Sequence, residues 1–441
     1  MEKTMQEPVH SSETPVHARH SSHAALHPPA SYALAGSPLH KPWAAVLILV
    51  ALGVLILFAL LQIVSIFAFA PENVLRVFFS ALGLAIVAGL PALALIWYLD
   101  RRERESLWVF FGALLWGMLV ATGLALFLNG EGALLIFNFF TQSGLASEAP
   151  SQDAARALVQ YLTAVLVGPP VEEIVKGLAL LLLIWLLRGE FNNMRDGIIY
   201  GALVGLGFNM METAFYVTNF YAQTGSPPYA TQLLARFVFF GVNGHLLFTA
   251  LTGAGFGLAR QLSHPAAKVL VAVGGLVLAI LAHMAHNALA GFIIYGVLSL
   301  QGQNLDSPAL FSWWLAVAVA NVVLQFIPYA LLIGAIVVSG QWERRVIRQQ
   351  LADEVNGQIV TPAEYAQIER ESAYGLRRPA GYSRREARAL VRAQNKLAFR
   401  KWDVRAAGAD SHTDSVAQAL RAEILGIRGM EPAAGGVAPA M

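Results

Sequence analysis

Three charges stand in an otherwise apolar stretch: Glu172, Glu173 and Lys176, which follow Pro169-Pro170 and lead into the unbroken apolar run 177–187. An ionised residue at the centre of a membrane helix costs about 2.5–3.5 kcal/mol on insertion scales. Such residues persist when they are paired, face a wet cavity or do chemistry. Similar apolar runs carry Glu212, His245, and His283 with its neighbours His286 and Asn287. Lys176 stands four and three residues after the two glutamates, so it can neutralise one of them on the same helix. The other carboxylates need protons, histidinium or water. A carboxylate beside a histidine in a buried wet cavity suits general acid–base hydrolysis.

Two chemistries fit this set. In one, a glutamate activates water directly while a histidine and Asn287 stabilise the oxyanion. In the other, a divalent metal such as zinc activates the water, its ligands drawn from Glu172, Glu173, Glu212, His245 and His283. His-Glu-x-x-His is absent, so metal is admitted but not compelled. The chain has no cysteine, which excludes thiolate catalysis and Cys-based metal centres. No Ser–His–Asp set or Asp dyad lies at a matching depth, and nothing points to nucleic acid.

The elements that must position these groups are membrane helices. The chain is 56% hydrophobic and 13% charged, about half the charge of a soluble domain, and its apolar residues fall into long runs. The expected fold is all-α, a polytopic transmembrane bundle of about eight spans: 43–70, 74–99, 107–129, 157–187, 197–218, 233–260, 268–299 and 310–339. The fourth is too long for a simple crossing, and Pro169-Pro170 should divide it into an outer amphipathic piece and a membrane helix from about Val171. Gly197, Gly201 and Gly205 in the fifth span, with Gly253 and Gly257 in the sixth, read as generic close packing. Basic residues occupy alternate connections (100–105, Arg188 with Arg195, Arg260 with Lys268), which places both termini in the cytoplasm. Glu172, Glu212, His245 and His283 each then lie about 15 residues from the cytoplasmic end of their span, roughly 22 Å at helical rise. Four helices alternating in direction thus bring ionisable groups to one level, in the outer half of the bilayer.

Outside the spans, 1–42 reads as a disordered His-rich tail, in which His10, His17, His20, His23, His27 and His40 could bind metal as a loose tract, although their irregular spacing favours a plain flexible tail. The core 43–339 carries its motifs between 157 and 300. Residues 340–441 form a partly helical cytoplasmic tail holding 16 of the 30 Lys and Arg with 12 acidic residues. Thr361-Pro-Ala-Glu364 reads as a capping box. Residues 383–405 form a basic helix suited to anionic lipid or a cytoplasmic partner, or to plain solvation. Order should end near Gly426.

Taken together, Glu172-Glu173-x-x-Lys176, Phe208-x-x-x-Glu212, a lone His245 and His283-x-x-x-Asn287 resemble the PrsW family of intramembrane proteases. That family is related to the CAAX-prenyl endopeptidases and bacteriocin-immunity-type membrane proteases. Gly207 before Phe208, Tyr216 after Glu212 and Arg236 before His245 extend the likeness, which covers about 157–300. The resemblance implies that Glu172 or Glu173 activates water, that Glu212 and His245 complete the acid–base set, and that His283 and Asn287 hold the oxyanion, with Lys176, Phe208 and His286 in support. Thr213 stands where family members often have Asn. The implied function is an intramembrane endopeptidase acting on membrane-anchored proteins, anti-sigma-factor-like regulators among them, in a bacterial-type plasma membrane. A proton-coupled transporter or channel would also bury Glu and His at mid-membrane, but the inverted repeats expected of one are not visible.

Overall fold

The computed structural model describes residues 37–101, 106–144, 151–355, 359–371 and 377–430, and among these the regular structure is helical throughout. Five of the six histidines of the N-terminal tract, His40 excepted, lie outside the described residues. The membrane part comprises α1 (Pro42–Phe67), α2 (Glu72–Leu99), α3 (Leu107–Gln142), α4 (Gln152–Leu162), α5 (Gly168–Leu186), α6 (Met194–Thr224), α7 (Tyr229–Arg236), α8 (His245–Gln261), α9 (Pro265–Leu300) and α10 (Leu310–Leu351). The C-terminal helices are α11 (Pro362–Arg370), α12 (Arg384–Ala406) and α13 (Ser415–Ile427).

Seven helices among the described residues are long and apolar enough to cross a membrane, one fewer than the eight spans expected. The difference is α5, whose 19 residues carry three charges, Glu172, Glu173 and Lys176. The protein is a multi-pass membrane protein. Apolar residues of the outer helices, such as Leu47, Val54 and Leu57 of α1, point away from the bundle, as a hydrocarbon solvent permits.

The long fourth stretch divides as expected, but without breaking. Amphipathic α4 has no buried residue, a π-helical turn follows over Thr163–Val167, and α5 begins at Gly168 with both prolines in its first turn. Proline supplies no N–H. The wide turn carries the chain past the missing donors. In the sixth stretch the continuous helix expected over 233–260 is interrupted between α7 and α8, where Gly241 and Gly244 take positive φ.

Helix α6 is the hub, buried along most of its length. It crosses α8 with backbone against backbone. A Cβ added at Gly201 would stand 2.4 Å from the Thr249 carbonyl oxygen, and one at Gly205 2.2 Å from that of His245. The small-residue face is therefore more than generic packing, because it seats His245 against the helix that carries Glu212.

The C-terminal helices have their own apolar core. Helix α10 runs through Gly340 without interruption, so that Val346, Ile347 and Leu351 pack with Leu390, Leu397, Leu420 and Ile424. The Thr361/Glu364 capping box forms, and Ser383 and Glu386 make a second one. Helix α12 divides its basic residues: Lys396 and Lys401 are buried, on Glu190 and on Asp353 with Glu354, while Arg384, Arg385, Arg388 and Arg405 are exposed. Three ion pairs fasten the end of the bundle nearest these helices: Glu190 to Lys396, Arg195 to Glu343, and Arg260 to Asp403.

Candidate active site

Glu173 sits in the first turns of α5 with no solvent exposure. Its Oε1 accepts from Lys176 Nζ at 2.6 Å and from His283 Nδ1 at 3.1 Å, and its Oε2 accepts from Thr249 Oγ1 at 3.0 Å. Both oxygens are satisfied. Glu172 is different. Its Oε1 accepts from Asn129 Nδ2 at 3.3 Å, whereas its buried Oε2 has no hydrogen-bond partner. That oxygen lies 3.6 Å from Lys176 Nζ, 3.8 Å from His245 Nδ1 and 3.9 Å from His283 Nε2.

The ring tautomers follow from the partners. His245 Nε2 is 2.6 Å from Glu212 Oε2, a carboxylate that also accepts from Arg236 Nη1 at 2.7 Å. The Nε2 proton therefore goes to Glu212, and Nδ1 keeps a lone pair facing Lys176 Nζ at 3.1 Å. His283 gives its Nδ1 proton to Glu173 and turns Nε2 toward Glu172. Aromatic rings fix both imidazoles. Phe248 stacks on His283 at 4.9 Å, and Phe208 meets His245 edge-on at 5.0 Å while lying under Lys176 Nζ at 4.2 Å.

One donor atom each from Glu172, His245 and His283 lie within 4.8 Å of one another. The donor chemistry fits a divalent cation. Two imidazoles and a carboxylate make a ligand set typical of hydrolytic zinc centres, and each imidazole gives its other nitrogen's proton to a carboxylate, the usual outer arrangement of metal-bound histidine. Bond lengths of about 2.0–2.2 Å in tetrahedral geometry place ligand atoms about 3.3–3.6 Å apart, a few tenths of an ångström closer than the 3.8 and 3.9 Å separations at Glu172 Oε2. Charge agrees. Glu172, Glu173 and Glu212 face two fixed cations, Lys176 and Arg236, so with neutral histidines the cluster is one negative charge in excess.

The cluster forms part of the wall of a cavity of about 600 Å³ between α3, the π-helical turn, α6, α7 and α9. Glu172, Phe208, Glu212, His245, His283, His286 and Asn287 all line it. His286 is held off from the carboxylates, its Nδ1 3.4 Å from Gln325 Nε2. Asn287 donates its amide to the Ala164 carbonyl at 2.8 Å and so ties α9 to the π-helical turn. Sequence reasoning passed over Asn129 and Thr249, although a lone amide in an apolar span and a threonine four residues after His245 were legible signals. It noted Arg236 but not its contact with Glu212.

Fold and site together define a polytopic membrane protein with a Glu–His cluster buried inside its bundle. The family model described as PrsW family intramembrane metalloprotease matches residues 105–338, just over half of the chain. The chain belongs to that family and is a membrane-embedded protease. No curated protein and no solved structure matches it.

Proposed function

We propose that the protein is an intramembrane endopeptidase that hydrolyses peptide bonds of membrane-anchored proteins at a Glu172–His245–His283 centre holding a divalent metal. The observation that carries this reading is the unpartnered Glu172 Oε2 between His245 Nδ1 and His283 Nε2. A bound ion of the zinc type would supply a Lewis acid and bring a water's pKa to about 7. Glu212 and Glu173 fix the tautomers that turn the ligating nitrogens inward, and Arg236 holds Glu212 against His245. Lys176 and Thr249 keep Glu173 in place, leaving Glu172 as the working member of the pair. Asn287 serves first to shape the cavity wall through Ala164.

One observation favours a second reading. Lys176 Nζ sits 3.1 Å from His245 Nδ1, on the lone pair a metal would take. In that arrangement Glu172 itself is the base that takes a proton from water and returns it to the leaving amine. The charged connections Arg188, Arg195, Arg260 and Lys268 lie at the end of the bundle where the C-terminal helices dock, which supports an orientation with both termini in the cytoplasm and the cavity toward the outer leaflet; the bacterial-type plasma membrane rests on the family likeness.

The test is cleavage of a single-span reporter by the reconstituted protein. Glu172→Gln should lower the rate by about 10³-fold or more, within reach of losing one acid–base or ligand group. Chelation should abolish cleavage, with recovery on adding metal. Full activity in Glu172→Gln would sink the assignment, and indifference to chelators would leave the metal-free glutamate mechanism.

A further inference from the structure

The eight residues before α8 form an irregular loop that sets where His245 begins. Four of them have positive φ: Phe239 (54°), Phe240 (60°), Gly241 (81°) and Gly244 (57°). For the two phenylalanines, which carry a Cβ, this left-handed conformation is strained. The Phe240 ring is 75% exposed, so its own packing does not hold the turn. Something else must.

What holds it is one face of α10. Tyr329 donates its hydroxyl to the Val242 carbonyl, Asn321 Oδ1 accepts from Asn243 Nδ2 at 3.4 Å, and Gln325 Oε1 accepts from the Gly244 N–H at 3.0 Å. Residues 321, 325 and 329 are spaced by four, hence on one stripe of the helix, and they grip three consecutive residues that end immediately before His245. The stripe is braced internally: Gln325 Nε2 donates to Asn321 Oδ1 at 2.6 Å, and Asn321 Nδ2 to the Val317 carbonyl at 2.9 Å. Asn321 and Gln325 are 3% and 0% exposed, and the same Gln325 amide faces His286. Carboxamides buried in a membrane helix persist where their hydrogen bonds do something.

We propose that Asn321, Gln325 and Tyr329 are positioning residues for the protease reaction, fixing through the 242–244 loop the ring of His245 against Glu212 and Glu172. This rests on the functional reading above. Relaxation of the loop would swing the first residue of α8, and a displacement of about 1 Å can cost about 10²-fold in rate.

The experiment compares full-length protein in proteoliposomes, with the transmembrane reporter, across Gln325→Ala, Gln325→Glu, Tyr329→Phe and a control, Thr218→Val. The control removes a buried hydrogen bond of α6 outside the cavity. Gln325→Ala should lower kcat by about 10²-fold, with KM within threefold, and displace the pH–rate profile of the folded, purified protein. Gln325→Glu, which keeps the acceptor for Gly244, should recover part of that loss, and Tyr329→Phe should fall between. Thr218→Val should change thermal stability and leave kcat and the pH profile alone. If Gln325→Ala and Tyr329→Phe behave like Thr218→Val, the positioning role is wrong although the enzyme stands. If wild type fails to cleave, or Glu172→Gln cleaves as well as wild type, the functional reading falls first.

Discussion

Two regions of this protein bury ion pairs, and they do it differently. In the C-terminal module the central carboxylates are surrounded by cations. Glu354 is met by both Lys401 and Arg421, and Asp353 by Lys401 and Arg405. Two carboxylates there share three cations. At the membrane site three carboxylates share two cations, and Glu172 Oε2 is left with none of its own. A fully paired cluster fixes a shape. One left a charge short has affinity for a further cation or a proton, and this difference separates a structural network from a site.

Removing a matched cation from each region tests the contrast, with the largest effect at the membrane site. Lys176→Met leaves Glu172 and Glu173 without the ammonium they share, and breaking a buried pair in this way costs about 3–5 kcal/mol. Lys401→Met leaves Glu354 with Arg421 and Asp353 with Arg405, so its loss should be about 1 kcal/mol, near the value of a partly screened pair. Thermal unfolding of the two variants in the same detergent reads the difference. Equal losses would mean that the two networks are alike.

Acid should separate the regions next. Burial acts to raise the Glu354 carboxyl, but hydrogen bonds and charge from Arg421 and Lys401 outweigh it and hold the group below its ordinary value, and Lys401 with Arg405 does the same for Asp353. A depressed carboxylate stabilises the fold above its unfolded pKa, about 4.3 for Glu and 3.9 for Asp, and that contribution is lost as pH falls through the folded value. Hydrogen exchange across α12 should therefore stay slow from pH 7 to about 4.3 after correction for intrinsic rates, and quicken below it. The acid-induced part should shrink in a Glu354→Gln, Asp353→Asn double variant to the share that Asp414 contributes through Arg400, and α12 of that variant should exchange faster than wild type at pH 7 and converge with it in acid.

The membrane architecture and the cluster were legible because hydrocarbon makes charge conspicuous. Glu172, Glu212, His245 and His283 each interrupt an apolar run, and equal depth on alternating helices joined them before any contact was visible. What stayed hidden depended on neutral groups or on geometry. Asn321 and Gln325 look like minor polar substitutions in a span until their spacing of four meets a loop whose conformation the sequence does not announce. The difference in pairing between Glu172 and Glu173, on which the proposed role of Glu172 rests, was likewise closed to sequence, since both stand about one turn from Lys176. It turned on Thr249 and His283, which reach Glu173 from other helices. The basic residues of α12 showed their charge but not their partners, which for Lys396, Lys401 and Arg405 come from other elements far upstream.

Glu423 sharpens the comparison from the other side, as an exception inside the paired module. Its Oε2 is buried without a hydrogen-bond partner, and burial pushes its carboxyl up to about 7 against the opposing charges of Lys396 and Arg392. An acid whose folded pKa is raised opposes folding once pH exceeds its unfolded value near about 4.3. The cost grows as pH rises toward 7 and is constant beyond it. Glu423→Gln should therefore stabilise the module at pH 8 by about 1 kcal/mol or less, since the group is partly exposed and screened, and should change nothing at pH 4. Hydrogen exchange at α13 measures both. A gain of the same size at pH 4 would assign the effect to shape rather than charge. An unpaired carboxylate oxygen would then carry no electrostatic cost here, and the inference drawn from Glu172 Oε2 would lose its closest internal parallel.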